Sequence, residues 1–195
     1  MTADHRTSER VYAALKSDLL DGMRRSGTFN ISALAVHYET SATPVREALL
    51  RLVGEGLVDM PDRGGFVPCT IDVERARDLY DINLALALAM LARWAPSSPE
   101  WPGTPVSDLK PPADRLFLEL ARHTQNLEFV AIIGSLNDRM RPIRKAEAIQ
   151  LSGLRREFDA IEQCFRQGNC RALRRTIVQY HYRRLRNVEK IVAAI

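Results

Sequence analysis

The sequence predicts a mainly α chain in two parts, a compact N-terminal module ending in a short hairpin and an all-α antiparallel helical bundle behind it. Three observations carry that prediction. Residues 41–67 read as a short helix, a glycine stop and two short strands about a tight turn. Residues 31–38 place a second amphipathic segment directly in front. Beyond Asp72 the apolar residues recur every three or four positions and show no strand-like alternation. Helix, turn, helix and hairpin in that order make a winged helix-turn-helix, whose second helix enters the major groove N-terminus first while the wing follows the backbone.

Residues 1–7 are polar and expected to stay disordered until DNA is bound. Val11, Leu15, Leu19 and Leu20 then form a stripe over residues 8–23, the expected first helix, which Arg24-Arg25-Ser26-Gly27 ends. The next helix, residues 31–38, is apolar at Ile31, Leu34, Ala35 and Tyr38 and turns at Glu39-Thr40-Ser41. In the third, Thr43 is the expected N-cap and Pro44 the first helical residue, where a missing N–H costs nothing. Val45, Ala48, Leu49, Leu52 and Val53 make its buried stripe and leave Thr43, Arg46, Glu47 and Leu50 outward. Gly56 supplies the left-handed stop. Strands at 57–60 and 65–67 flank Pro61-Asp62-Arg63-Gly64, with Arg63 near the tip. The proline-bearing stretch 68–72 is the expected boundary, so the domains are 1–70 and 71–195.

In the second half, residues 73–94 are apolar on more than one side, through Ala76, Leu79, Tyr80, Leu84, Leu86, Leu88, Met90 and Leu91, as in a helix buried in a bundle or a dimer contact. The proline-rich stretch 95–112 cannot be continuous helix and is expected to be a loop, with Trp94 and Trp101 available as anchors. Helices are expected at 112–124, at 126–149 with a kink at Pro142, at 153–167 and, after Gly168-Asn169, at 170–193.

The composition, 46% hydrophobic and 27% charged over 195 residues, suits two small cores. The net charge of +4 is compatible with nucleic acid. It is unevenly placed: residues 1–70 hold eight Lys and Arg against nine Asp and Glu, and residues 151–195 hold ten against four. Basicity in the first module must therefore be local, from Arg6, Arg10, Arg46, Arg51 and Arg63. The excess in the second half reads first as a solvated helix face, with an anionic effector or an extra DNA contact as alternatives. Three cysteines, Cys69, Cys164 and Cys170, form no C-x-x-C pair, so neither a disulfide framework nor a zinc knuckle is indicated. No stretch approaches a membrane span and the first residues lack an apolar signal region, so a cytoplasmic protein is expected. Phosphate-loop, nucleophile-elbow and H-E-x-x-H motifs do not occur, and an enzyme is not expected.

Leu34-Ala35, residues 41–49 (SATPVREAL) and Glu55-Gly56-Leu57-Val58 resemble the GntR family of bacterial transcription regulators over about residues 8–70. The resemblance implies base-edge contact by Arg46, phosphate contact by Thr43 and the backbone at the helix start, and a wing contact by Arg63 and Gly64, with Arg10, Ser41, Glu47 and Arg51 completing the interface. The family's arginine after the serine is Ala42 here, and its common arginine at position 50 is Leu50. Residues 72–80, 114–117, Asn126 and the last helix with His181 resemble, more faintly, a shortened FCD effector domain of the FadR-type branch. That branch commonly binds a metal through an aspartate and histidines. Here Asp114 and His181 match, while Leu118 and Phe158 stand at the histidine positions, so no metal or other cofactor is expected.

On the last helix Leu173, Ile177, Tyr180, Arg184, Val188 and Ile191 step by three or four beside His181. A core-facing arginine needs a partner. Arg184 is expected to pair with Asp114 or Glu157, or to hold an effector carboxylate with His181 and Tyr180 assisting and Asn137 and Arg141 on the facing helix. The expectation is a homodimeric repressor that binds a near-palindromic double-stranded DNA operator and responds to a small organic acid. The alternatives are a regulator with a ligand-free dimerisation bundle and a non-DNA protein-interaction scaffold.

Overall fold

A computed structural model describes residues 3–22, 27–94 and 112–195. They divide into two compact units, Met1–Thr70 and Ile71–Ile195. In the first, α1 (Ala3–Asp21) packs along α3 (Ala42–Gly54), and α2 (Ile31–His37) precedes α3 across the turn. A hairpin of β1 (Val58–Asp59) and β2 (Val67–Pro68) closes the unit. Its core joins Val11 and Leu15 of α1, Leu34 of α2, Val45, Leu49 and Leu52 of α3, and Phe29, Val58 and Phe66.

Three boundaries differ from the sequence reading, each for a local reason. Residues 3–7 are helical rather than disordered, because the early turns of α1 are tied down: Ser8 bonds Glu47, and Glu9 pairs with Arg51. α1 stops at Asp21, where Gly22 at φ 91° turns its N–H back to the Leu19 carbonyl. Arg24, Arg25 and Ser26, the expected stop, lie outside the described residues. Ser41 is the N-cap of α3, so Pro44 occupies the third helical position and not the first. That position is still in the first turn, whose N–H groups have no helical partner to lose.

The buried stripe of α3 is as expected, Val45, Ala48, Leu49 and Leu52, with Val53 half-buried. Gly56, at φ 70°, closes the helix in a Schellman arrangement: its N–H meets the Val53 carbonyl and the Leu57 N–H meets that of Leu52. The strands are shorter than expected and paired Val58 to Pro68 and Asp59 to Val67. Pro68 thus belongs to the wing and not to the boundary.

The second unit holds α4 (Val73–Ala92), α5 (Pro112–His123), α6 (Leu127–Gln150), α7 (Leu154–Arg166), α8 (Cys170–Arg186) and α9 (Val188–Val192). Asp72, Asn126 and Asn169 cap α4, α6 and α8 by accepting from Arg75, Glu128 and Ala172. α6 continues through Pro142 as one helix, with Met140, Ile143 and Arg144 buried on either side. The expected last helix is broken at Asn187, whose amide donates to the Arg183 carbonyl and competes with the helical ladder. Trp94 stacks on Phe165 with ring centroids 5.1 Å apart. Residues 95–111, including Trp101 and almost all of the expected loop, lie outside the described residues. Among the described residues no helix is long and apolar enough to cross a membrane.

Candidate functional site

The start of α3 is the first place where the fold exposes polar groups with work left to do. Ser41 makes no side-chain cap bond, and Ser41, Ala42 and Thr43 are exposed. Two hydroxyls and the unpartnered amides of the first turn therefore face outward at the positive end of the helix, the arrangement that receives a phosphate. Arg46 is exposed one turn further and makes no ion pair among the described residues. The wing adds Arg63, exposed beside Gly64 and Gly65 at φ 80° and 87°. A side chain at Gly65 would be strained at that φ and would also press within 3.2 Å of the Thr28 methyl, so these glycines set the course of the tip.

Three other sequence-predicted contacts are placed differently. Arg10 donates to the Tyr38 carbonyl at 2.9 Å and caps the end of α2. Glu47 accepts from the Ser8 hydroxyl at 2.5 Å. Arg51 pairs with Glu9 at 2.6 Å and lies 3.7 Å from the centre of the Tyr12 ring, whose hydroxyl donates to Glu55. These side chains bind α1 to the helix-turn-helix.

The interior of the second unit carries a polar network. Arg184, fully buried on α8, donates from Nε to Glu147 at 2.9 Å and from Nη1 to Glu157 at 2.9 Å. Its Nη2 lies 2.8 Å from the second Glu157 oxygen, and its guanidinium sits 3.3 Å from the Tyr180 ring centre. Burial works against the charge, but Tyr180, Glu147 and Glu157 outweigh it and hold the guanidinium above its usual pKa. Tyr80 donates to Glu147 at 2.6 Å. Burial first, then the Glu147 charge, keeps that phenol protonated far above its ordinary range. Arg144 on α6 pairs with Asp114 and donates to Asn137 at 2.7 Å, while Asn137 donates to the Asp114 backbone carbonyl at 2.9 Å.

His181 lies between the Ile177 carbonyl, 2.7 Å from Nδ1, and the Asn83 amide, 2.9 Å from Nε2. Burial pushes its pKa down to about 4, and the Arg184 and Arg144 charges push the same way. A neutral ring has one N–H. With that proton on Nδ1, Nε2 is an acceptor facing the Asn83 Oδ1, and a flip of the Asn83 amide would bring its unpartnered NH₂ to Nε2 as a donor.

Of the sequence-predicted effector residues, Asp114, Asn137, Tyr180, His181 and Arg184 come together in this interior. Arg141 is half-buried and not a member, while Arg144, one turn on, is. Glu147, Arg144, Asn83 and Tyr80 were missed. The signal was present for two of them, because Asn137, Met140, Arg144 and Glu147 follow one another at helical spacing on the buried side of α6. Asp114 is occupied by Arg144, and among the described residues no three His, Cys, Asp or Glu side chains converge as a metal site.

Comparisons with known proteins bear on the fold. Residues 7–67 match the family described as bacterial regulatory proteins, gntR family. No curated protein sequence matches the chain. A structural-genomics crystal structure of a GntR transcriptional regulator from Rhodococcus sp. RHA1 superposes with a TM-score of 0.75 at 17% identity, covering 93% of this chain and 96% of that one. E. coli McbR/YncC superposes with a TM-score of 0.63 at 18% identity, covering 96% and 98%. Residues 7–67 therefore form a gntR-family domain, and the chain shares the fold of these two solved structures.

Proposed function

We propose that the chain is a one-component transcriptional regulator that works in the cytoplasm as a homodimer on a near-palindromic DNA operator and represses the genes beside it. One observation carries this reading: Arg46 stands exposed, with no ion pair among the described residues, in the first half of α3, behind the hydroxyls of Ser41 and Thr43. Its planar fork matches the O6 and N7 edge of guanine, while the helix start holds a phosphate and Arg63 and Gly64 follow the backbone. Two copies would read half-sites about one helical turn, roughly 34 Å, apart.

Responsiveness belongs to the second unit. A small organic carboxylate would take the place of Glu157 on Arg184, assisted by Tyr180 and His181, while Asp114 and Asn137 stay engaged by Arg144. Glu157 is the exchangeable partner, with a side chain 17% exposed against 3% for Glu147. It lies in the first turn of α7, so its release would free that helix and pass a coupling energy to the DNA complex. A second reading, a ligand-free dimerisation bundle, is favoured by the fact that both buried arginines already hold carboxylates of the protein itself.

Footprinting on the DNA upstream of the protein's own gene, at near-physiological salt, tests the first reading. A two-fold-symmetric protected site that disappears in Arg46→Ala is expected. Protection indifferent to that change would refute specific reading by α3. A panel of carboxylates in thermal-shift assays decides between the two bundle readings, since no stabilisation by any of them would favour the ligand-free one.

A further inference from the structure

Leu50 is 52% exposed on α3. It lies four residues beyond Arg46, hence about 6 Å along the helix and about 40° around it, on the same outward face. A lone exposed leucine is ordinary on most surfaces. This position differs because of what surrounds it. The neighbouring polar side chains at that level, Glu47 and Arg51, are engaged by Ser8, Glu9 and Tyr12 of α1. Past Arg46, then, the face offers an isobutyl group with neither donor nor acceptor.

Such a group discriminates among bases in one way. The thymine 5-methyl is the apolar feature of a major-groove edge. Set against guanine O6 or cytosine N4, the leucine would strip water from a polar atom and return no hydrogen bond. Resting on the DNA-binding reading above, we infer that Leu50 is a specificity-determining residue that selects thymine, through its methyl group, within about two base pairs of the guanine read by Arg46.

Selection of duplexes from a random pool by the full-length protein, at near-physiological salt, is the first step of the test. The enriched half-site is expected to hold a guanine and, close by at fixed spacing, a thymine. Replacing that thymine by uracil removes the methyl alone and should weaken binding about fourfold per half-site. Leu50→Ala should bind the thymine and uracil duplexes equally, and Leu50→Gln should shift the selected base toward adenine. An enriched site lost in Arg46→Ala but without a fixed thymine, or one bound equally well with uracil, overturns the inference and leaves the regulator reading standing. A pool from which nothing is enriched overturns that reading and the inference with it.

Discussion

Replacing Arg184 with methionine tests how the helical unit is held together. The guanidinium is fully buried and carries Glu147 and Glu157 at 2.8–2.9 Å. Methionine keeps much of the volume but leaves two carboxylates facing each other, one of them almost wholly buried. Removing one side of a buried ion pair costs about 3–5 kcal/mol, because the remaining charge is neither solvated nor paired. For a unit of about 125 residues the unfolding entropy makes each kcal/mol worth about 4 °C, so the loss is about 12–20 °C in Tm. Calorimetry of the full chain reads it. A fall of less than about 4 °C would refute the reasoning, since the carboxylates would then have water or another partner. The triple variant Arg184→Met, Glu147→Gln, Glu157→Gln should recover most of the loss. If it melts no higher than Arg184→Met alone, the loss is one of packing and not of charge.

Two further outcomes are expected. His181 has a folded pKa of about 4 against 6.5 when free, so between those values the unfolded chain binds more protons and stability must fall as pH falls. The loss from pH 7 to pH 5 is about 2 kcal/mol in urea denaturation and should vanish in His181→Gln, and an unchanged pH slope in that variant would show the ring is not the group responsible. Arg51→Ala should cost the first unit about 1 kcal/mol or less, from an exposed ion pair and the stacking on Tyr12, while leaving the selected DNA sequence the same. A changed sequence preference would mean that Arg51 reads bases after all.

The first unit was legible because its signals are local. Gly56 after a 3.6-residue stripe names the end of α3, and the stripe itself names the face left for a ligand. What composition could not separate is an arginine left without an ion pair among the described residues from one that braces. Arg10, Arg46 and Arg51 are all exposed, yet Arg10 reaches a backbone carbonyl on α2 and Arg51 a carboxylate on α1, across 28 and 42 residues of sequence. Such partners belong to tertiary packing. The buried centre shows the same limit in part. Arg184 was legible from its place in an apolar stripe, and Glu157 as its partner, but not Glu147. The spacing did carry a signal there, since Arg144 and Glu147 keep step with Met140 and Ile143. Residues 3–7 were misjudged because polarity alone says nothing of the anchors that α3 provides to the turn that follows them.

Pro68 in the wing has a consequence for how copies of this chain meet. The Cys69 N–H reaches the Leu57 carbonyl, which fixes the alternation of the ladder, so position 68 turns its backbone nitrogen away from β1. A proline there offers no donor on the outer side. Two residues earlier the Phe66 carbonyl, facing the same way, is taken by the Phe29 amide. The outer margin of β2 thus offers a foreign strand no donor at 68 and no free carbonyl at 66, which works against edge-to-edge pairing along that strand. For the homodimer proposed above, this leaves association to surfaces that close on themselves, as reading two half-sites at a fixed distance would require.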